Sequence, residues 1–153
     1  MEHFSEIIPI VLRHEGGYVN DPLDKGGETN YGISKRSYPN EDIKRMTPKR
    51  ATEIYRQDFW VPAQCSSMPP DIRGIYFDTA VNCGLTRAVK ILQAAAGVTV
   101  DGLIGLVTLR AAQHVTSRMY AAERLAWYDR IITADPSQAK YRKGWAKRTM
   151  SWI

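Results

Sequence analysis

Near the start of the chain apolar residues recur at helical spacing. Phe4, Ile7, Ile8, Val11 and Leu12 form one stripe of an amphipathic helix. Proline lacks an N–H and crowds the preceding turn, so Pro9 fits only near a helix start, and an irregular first turn is expected. The pattern breaks at Glu15-Gly16-Gly17, where paired glycines end helices readily. From Tyr18 to Ser34 the texture changes to turn chemistry: Asn20-Asp21-Pro22, Asp24-Lys25-Gly26-Gly27 and Tyr31-Gly32, with short polar and aromatic runs between. Two or three short strands in a small hairpin lobe are predicted there.

Beyond Met46 the helical period returns. Thr47-Pro48 is a good cap and first-position pair for a helix carrying Ala51, Ile54, Tyr55 and Phe59 on one face, closed by Pro62. Pro69-Pro70-Asp71 starts another, with Ile72, Ile75, Tyr76 and Thr79 inward, running towards Gly84. Thr86 is the expected cap of a helix carrying Val89, Leu92 and Ala96 that ends at Gly97. The turn from Val100 to Gly105 leads into Val107 to His114. Ser117 to Ile132 carries Tyr120, Leu125, Tyr128 and Ile132, and a last helix after Asp135-Pro136 carries Tyr141, Trp145 and Trp152. The prediction is a mostly α protein, a helical lobe with a small β-hairpin lobe, without internal repeats or a long linker.

The chain has 153 residues, one domain's worth, with 44% apolar and 24% charged residues. That composition excludes collagen-like, disordered and disulfide-framework proteins. Lys plus Arg is 21 and Asp plus Glu 16, a net charge of +5, which favours nucleic acid, anionic lipid or an anionic wall polymer without choosing among them. Cys65 and Cys83 form no staple pattern and read as free thiols. His3, His14 and His114 are scattered, so neither a metal site nor another cofactor is expected. No apolar stretch reaches the roughly 18–20 residues of a membrane span. The start lacks a basic signal region, which leads us to expect synthesis in the cytoplasm and another export route for work outside.

One segment carries chemistry. His14-Glu15-Gly16-Gly17-Tyr18 puts a carboxylate at the end of an apolar helix, just before a glycine-rich polar loop. A half-buried carboxyl there suits general-acid work, whereas a merely exposed Glu would be opposed by the helix dipole. Glycoside hydrolysis also needs a group that handles water or the developing cation. Asp21, Asp24 and Glu28 are nearby acids and Thr29 offers a hydroxyl. Asp21 before Pro22 already reads as a turn former, and Asp24 and Thr29 are the candidates kept. Tyr18, Asn30, Tyr31 and Asn82 are candidate sugar-binding residues, because rings stack on pyranose faces and amides pair with hydroxyl and N-acetyl groups.

The run from Arg13 to Pro22, with Asp24 to Ser34 after it, closely resembles glycoside hydrolase family 108, the lysozyme-like N-acetylmuramidases of phages and bacteria. Phe77 to Gly84, Gln93, Asp101-Gly102 with Gly105, and Gly144-Trp145 resemble the peptidoglycan-binding region that accompanies them. The resemblance implies a lysozyme-like α+β fold over residues 1–153, with the catalytic motif in 1–70 and a helical wall-binding-like region in 71–153. It implies that Glu15 is the catalytic acid of a muramidase cutting the β-1,4 bond between N-acetylmuramic acid and N-acetylglucosamine. More loosely, Glu15, Asp24 and Thr29 resemble the Glu, Asp, Thr set of phage lysozymes. Thr29 lies one residue nearer Asp24 than in that set, which leaves Asn30 as its alternative. Asn82 resembles the cleft-lining Asn of related lysozymes.

Three other readings compete. A lytic transglycosylase uses a single acid on the same bond but closes the muramic 6-hydroxyl onto its own anomeric carbon. A non-catalytic wall-binding or phage structural protein would not require Glu15. Nucleic acid is not an expected partner: Lys140, Arg142, Lys143, Lys147 and Arg148 crowd the last helix, yet no nucleic-acid motif accompanies them. That basic helix is instead a candidate contact for an anionic outer-membrane surface. The expected partner is the glycan strand, met by a monomer after holin-type release or specialised export.

Overall fold

The computed structural model describes residues 3–23 and 25–153. Among them are seven α-helices and one two-stranded antiparallel sheet, so the chain is mostly α with a small hairpin, as predicted. It divides into two compact units, Met1–Asp58 and Phe59–Ile153.

In the first unit, α1 (Phe4–Glu15) buries Phe4, Ile8 and Val11 and half-buries Ile7 and Leu12, so the predicted stripe is its inward face. Pro9 lies inside α1 rather than at an irregular start. It is tolerated because Pro9 and Ser5 are both exposed, and water can reach the Ser5 carbonyl that Pro9 leaves without an N–H partner. The helix stops where Gly16 takes φ 81°. Strands β1 (Thr29–Asn30) and β2 (Ile33–Ser34) pair Thr29 with Ser34 and Asn30 with Ile33. A third run contributes one antiparallel bridge, Val19 with Thr29, closed by two bonds of 2.8 Å. α2 (Pro48–Tyr55) starts as expected, with the Thr47 hydroxyl accepting from the Arg50 N–H at 3.1 Å. It gives way to a π-helical turn, Arg56–Trp60, that the apolar period does not signal.

The second unit is built on α3 (Pro70–Cys83), of whose residues Ile72, Ile75, Tyr76, Phe77 and Ala80 are buried apolar groups. Against it pack α4 (Leu85–Ala96) and α6 (Ser117–Ala134). α5 (Leu106–Ala112) packs on α4, and α7 (Arg142–Met150) on α6. Gly84, at φ 92°, turns the chain between α3 and α4, so α4 starts before the expected cap Thr86. The expected last helix is split: Pro136–Tyr141 is a 3-10 turn capped by Asp135, and α7 follows. The buried phenols are satisfied, Tyr76 donating to the Ala63 carbonyl at 2.9 Å and Tyr120 to that of Ala88 at 3.0 Å. Trp152 lies against Gly74, where an added Cβ would come within 2.6 Å of its ring.

Two polar constructions hold this unit. Gln93, 1% exposed, accepts from the N–H groups of Asp101 and Gly102 and donates to the Asp101 carboxylate, the Leu103 carbonyl and the Thr108 hydroxyl. These residues, part of the resemblance to a peptidoglycan-binding region, clamp the α4–α5 connection. Deeper, Asp78 on α3 is fully buried and accepts from Arg124 at 2.8 Å and from Arg148 at 2.8 and 3.1 Å. Arg124 is also fully buried, and its Nε donates to the Tyr128 hydroxyl at 3.1 Å. Arg148, grouped by sequence with the surface cations, turns inward. Removing Asp78 strands two cations, one of them fully buried. Asp78→Ala is expected to cost about 3–5 kcal/mol of stability in urea denaturation; a loss below about 1 kcal/mol would contradict the role given to this cluster.

Candidate active site

Glu15 is the last residue of α1, half-buried, at the point where Gly16 turns the chain away. Its carboxylate faces the hairpin. Between β1 and β2 the chain reverses through Tyr31 and Gly32 at φ 52° and 77°, the two left-handed residues of a type I′ turn. Asn-Gly is the usual pair for that turn, and a bulky residue at positive φ is strained. Tyr55, the last residue of α2, holds the strained residue by donating its hydroxyl to the Tyr31 carbonyl at 2.6 Å.

The approach around the turn is close. A Cβ added to Gly32 would stand 2.5 Å from Glu15 Oε2, 2.7 Å from the Tyr55 hydroxyl and 3.0 Å from Glu15 Cβ. Glycine is thus required twice, for its backbone angle and for its lack of a side chain. Three elements, the end of α1, the β1–β2 turn and the end of α2, converge on one spot, and a carboxyl group is fixed there against backbone. Chemically the arrangement presents a positioned, half-buried acid beside a rigid turn. Among the described residues no group of three acids, histidines or cysteines is placed to hold a metal.

Of the other candidates, Tyr31 lies in the turn beside Glu15. Thr29 and Tyr31 are half-buried on the hairpin, Thr29 in the ladder and Tyr31 in the turn. Asn30 is 7% exposed and its amide N–H donates to the Ile43 carbonyl at 3.1 Å, tying the hairpin to the loop before α2. Tyr18 is exposed and donates to Glu28 at 2.7 Å, a bond that holds its phenol above the ordinary range. Asp21 accepts from the Leu23 N–H at 2.9 Å, the turn role read from sequence. Asp24 lies outside the described residues. Asn82 belongs to the second unit, where its amide donates to the Tyr128 hydroxyl at 2.7 Å and accepts from Arg148 at 3.4 Å. Sequence reasoning missed Tyr55, which counts there as one apolar position of α2. The available signal was the tyrosine before Gly32, which forces an ordinary residue into left-handed backbone.

The family model described as Glycosyl hydrolase 108 matches residues 8–84, and that described as Predicted Peptidoglycan domain matches residues 87–150. Among solved structures the chain is similar to SagA of Brucella abortus, at 32% identity and a TM-score of 0.81, over 97% of this chain and 90% of that one. No curated protein matches.

Gly32→Ala tests the convergence. Like Gly97→Ala, at φ 69° with open space around it, it incurs about 1–2 kcal/mol for left-handed backbone. Only at Gly32 does the methyl meet Glu15 and Tyr55, so its loss in urea denaturation is expected to exceed that of Gly97→Ala by about 1 kcal/mol or more. Equal losses would contradict the close approach.

Proposed function

This chain belongs to the glycosyl hydrolase 108 family, a peptidoglycan-acting glycoside hydrolase with a fold like that of SagA, and we propose that it is an N-acetylmuramidase with Glu15 as its general acid. The observation that carries the proposal is the half-buried Glu15 carboxyl fixed against the Tyr31-Gly32 turn. Protonated Glu15 gives its proton to the oxygen between N-acetylmuramic acid and N-acetylglucosamine as the C1–O bond breaks. A water attacks C1 from the opposite face and yields its proton to a base, and the muramic acid leaves with a reducing end. Asp24 is the proposed base, with Thr29 the alternative water-positioning group.

Tyr18, Asn30, Tyr31 and Asn82 are the proposed sugar contacts. Catalysis is assigned to residues 1–70 and wall binding to 71–153, and the protein would act as a monomer outside the cytoplasm, after holin-type release or specialised export. Lys140 and Lys147, both exposed, are the cations proposed to meet an anionic outer-membrane surface.

The test is digestion of purified Gram-negative peptidoglycan by wild type and Glu15→Gln, with mass analysis of the soluble muropeptides. Reducing-end products are expected from wild type, and a fall of about 10²–10⁴-fold in the variant. Ends lighter by one water would move the assignment to a lytic transglycosylase. No products from either protein, with wall binding intact, would leave a binding module.

A further inference from the structure

Between α6, the 3-10 turn and α7, the second unit has an open cavity of about 550 Å³. Leu125, Ala139 and Ala146 give it an apolar wall, and Asp129, Arg142 and Lys143 bring charge to it. Arg142 pairs with Asp129 at 3.1 Å, but both side chains are more than half exposed, at 66% and 55%. Such a surface pair is held weakly and exchanges readily for another carboxylate, leaving Asp129 to receive a cation. Lys143 makes no ion pair among the described residues.

The lining argues against a sugar. Pyranose recognition uses an open ring face and side-chain amides, and this cavity has neither. Its aromatic residue, Tyr128, is 3% exposed; Trp145 stacks on it at 4.7 Å and the Arg124 guanidinium lies 5.7 Å from its centroid. Two cations, one acid and methyl-sized apolar surface instead match a short peptide with carboxylates, small side chains and an ammonium group. Peptidoglycan carries such a peptide on each muramic acid, with alanine methyls, free carboxylates and, in many walls, a diamino acid.

We propose that the α6–α7 cavity is a subsite for the stem peptide of peptidoglycan. Its carboxylates bond Arg142 and Lys143, the diamino acid's ammonium bonds Asp129, and its alanine methyls pack on Leu125, Ala139 and Ala146. The assignment rests on the reading that the wall is the substrate, and it adds which part of the wall this unit holds.

The full chain is titrated by calorimetry and by NMR with the soluble tetrapeptide L-Ala-γ-D-Glu-meso-diaminopimelate-D-Ala. Saturable binding is expected, with shifts centred on Leu125, Ala139 and Ala146. Arg142→Glu/Lys143→Glu should weaken it at least about tenfold while circular dichroism and thermal midpoint stay at wild-type values. An unchanged affinity in that variant, absence of peptide binding, or equal binding of an all-L acidic peptide of the same composition would each overturn the subsite. So would shifts at these residues produced by a peptide-free glycan fragment. Wall digestion is followed on the same samples. Peptide binding without hydrolysis upholds the cavity and defeats the muramidase reading, whereas hydrolysis without peptide binding does the reverse.

Discussion

The first unit is organised around one steric constraint, the approach of Glu15 and Tyr55 to a glycine that has room for neither a side chain nor ordinary backbone angles. An acid at a helix end is usually a flexible group with several rotamers open to it. Here the β1–β2 turn occupies the space its carboxylate would otherwise explore, so its position is set by backbone. The turn carries a cost of its own, because Tyr31 is a bulky residue held at positive φ, a conformation worth about 1–3 kcal/mol of strain. The bond from Tyr55 to the Tyr31 carbonyl offsets part of that and ties α2 to the same spot. Strain concentrated beside the proposed acid fits a site fixed before substrate arrives, so that little reorganisation remains for the reaction itself.

The second unit is held by a different device. Asp78, Arg124 and Arg148 bring two positive charges and one negative into the interior around α3, and Asn82 and Tyr128 take up further donors. Buried ion pairs contribute little net stability relative to an apolar core, but breaking one is expensive, so they discriminate sharply between the right and the wrong packing. What is discriminated here is the seating of α7. Its Arg148 reaches Asp78 across 70 residues of sequence, and Trp152 beyond it lies on Gly74 of α3. Since α7 forms one side of the cavity that carries Arg142 and Lys143, the ion cluster also fixes the shape of that cavity.

How much of this was legible follows from what a sequence pattern reports. Periodicity reports burial, and the stripe of α1 and the inward face of α3 were read from it correctly, while the caps at Thr47 and Gly97 were read from residue type. It does not report how a backbone absorbs a local conflict, which is why Pro9 within α1, the π-helical turn after α2 and the split before α7 escaped it. Nor does it report partners. Tyr55 looked like one more apolar position, yet its hydroxyl does the work. Arg148 looked like one more surface cation, yet it lies against a buried carboxylate far away in sequence. Gln93 and Asp101-Gly102 marked the resemblance to a peptidoglycan-binding region, but the pattern did not show that their polar groups are engaged with each other. The place of Glu15 at the end of α1, before the glycines, was legible because the apolar stripe stops there.

A glycan strand repeats one disaccharide, so contacts to sugars alone give a hydrolase little basis for distinguishing one stretch of wall from another. A contact to the stem peptide lies off the reacting bond and is the same before and at the transition state. Binding energy of that kind lowers the concentration of wall needed for half-maximal rate and leaves the chemical step unchanged. On the proposed reading the acceleration comes from Glu15 and the groups that handle water, and Glu15 lies where the described backbone approaches it most closely. The two units differ accordingly. Close steric definition suits the acid role proposed for Glu15, whose reach is measured in tenths of an ångström, while a cavity with exposed cations suffices for a ligand that needs only to be retained.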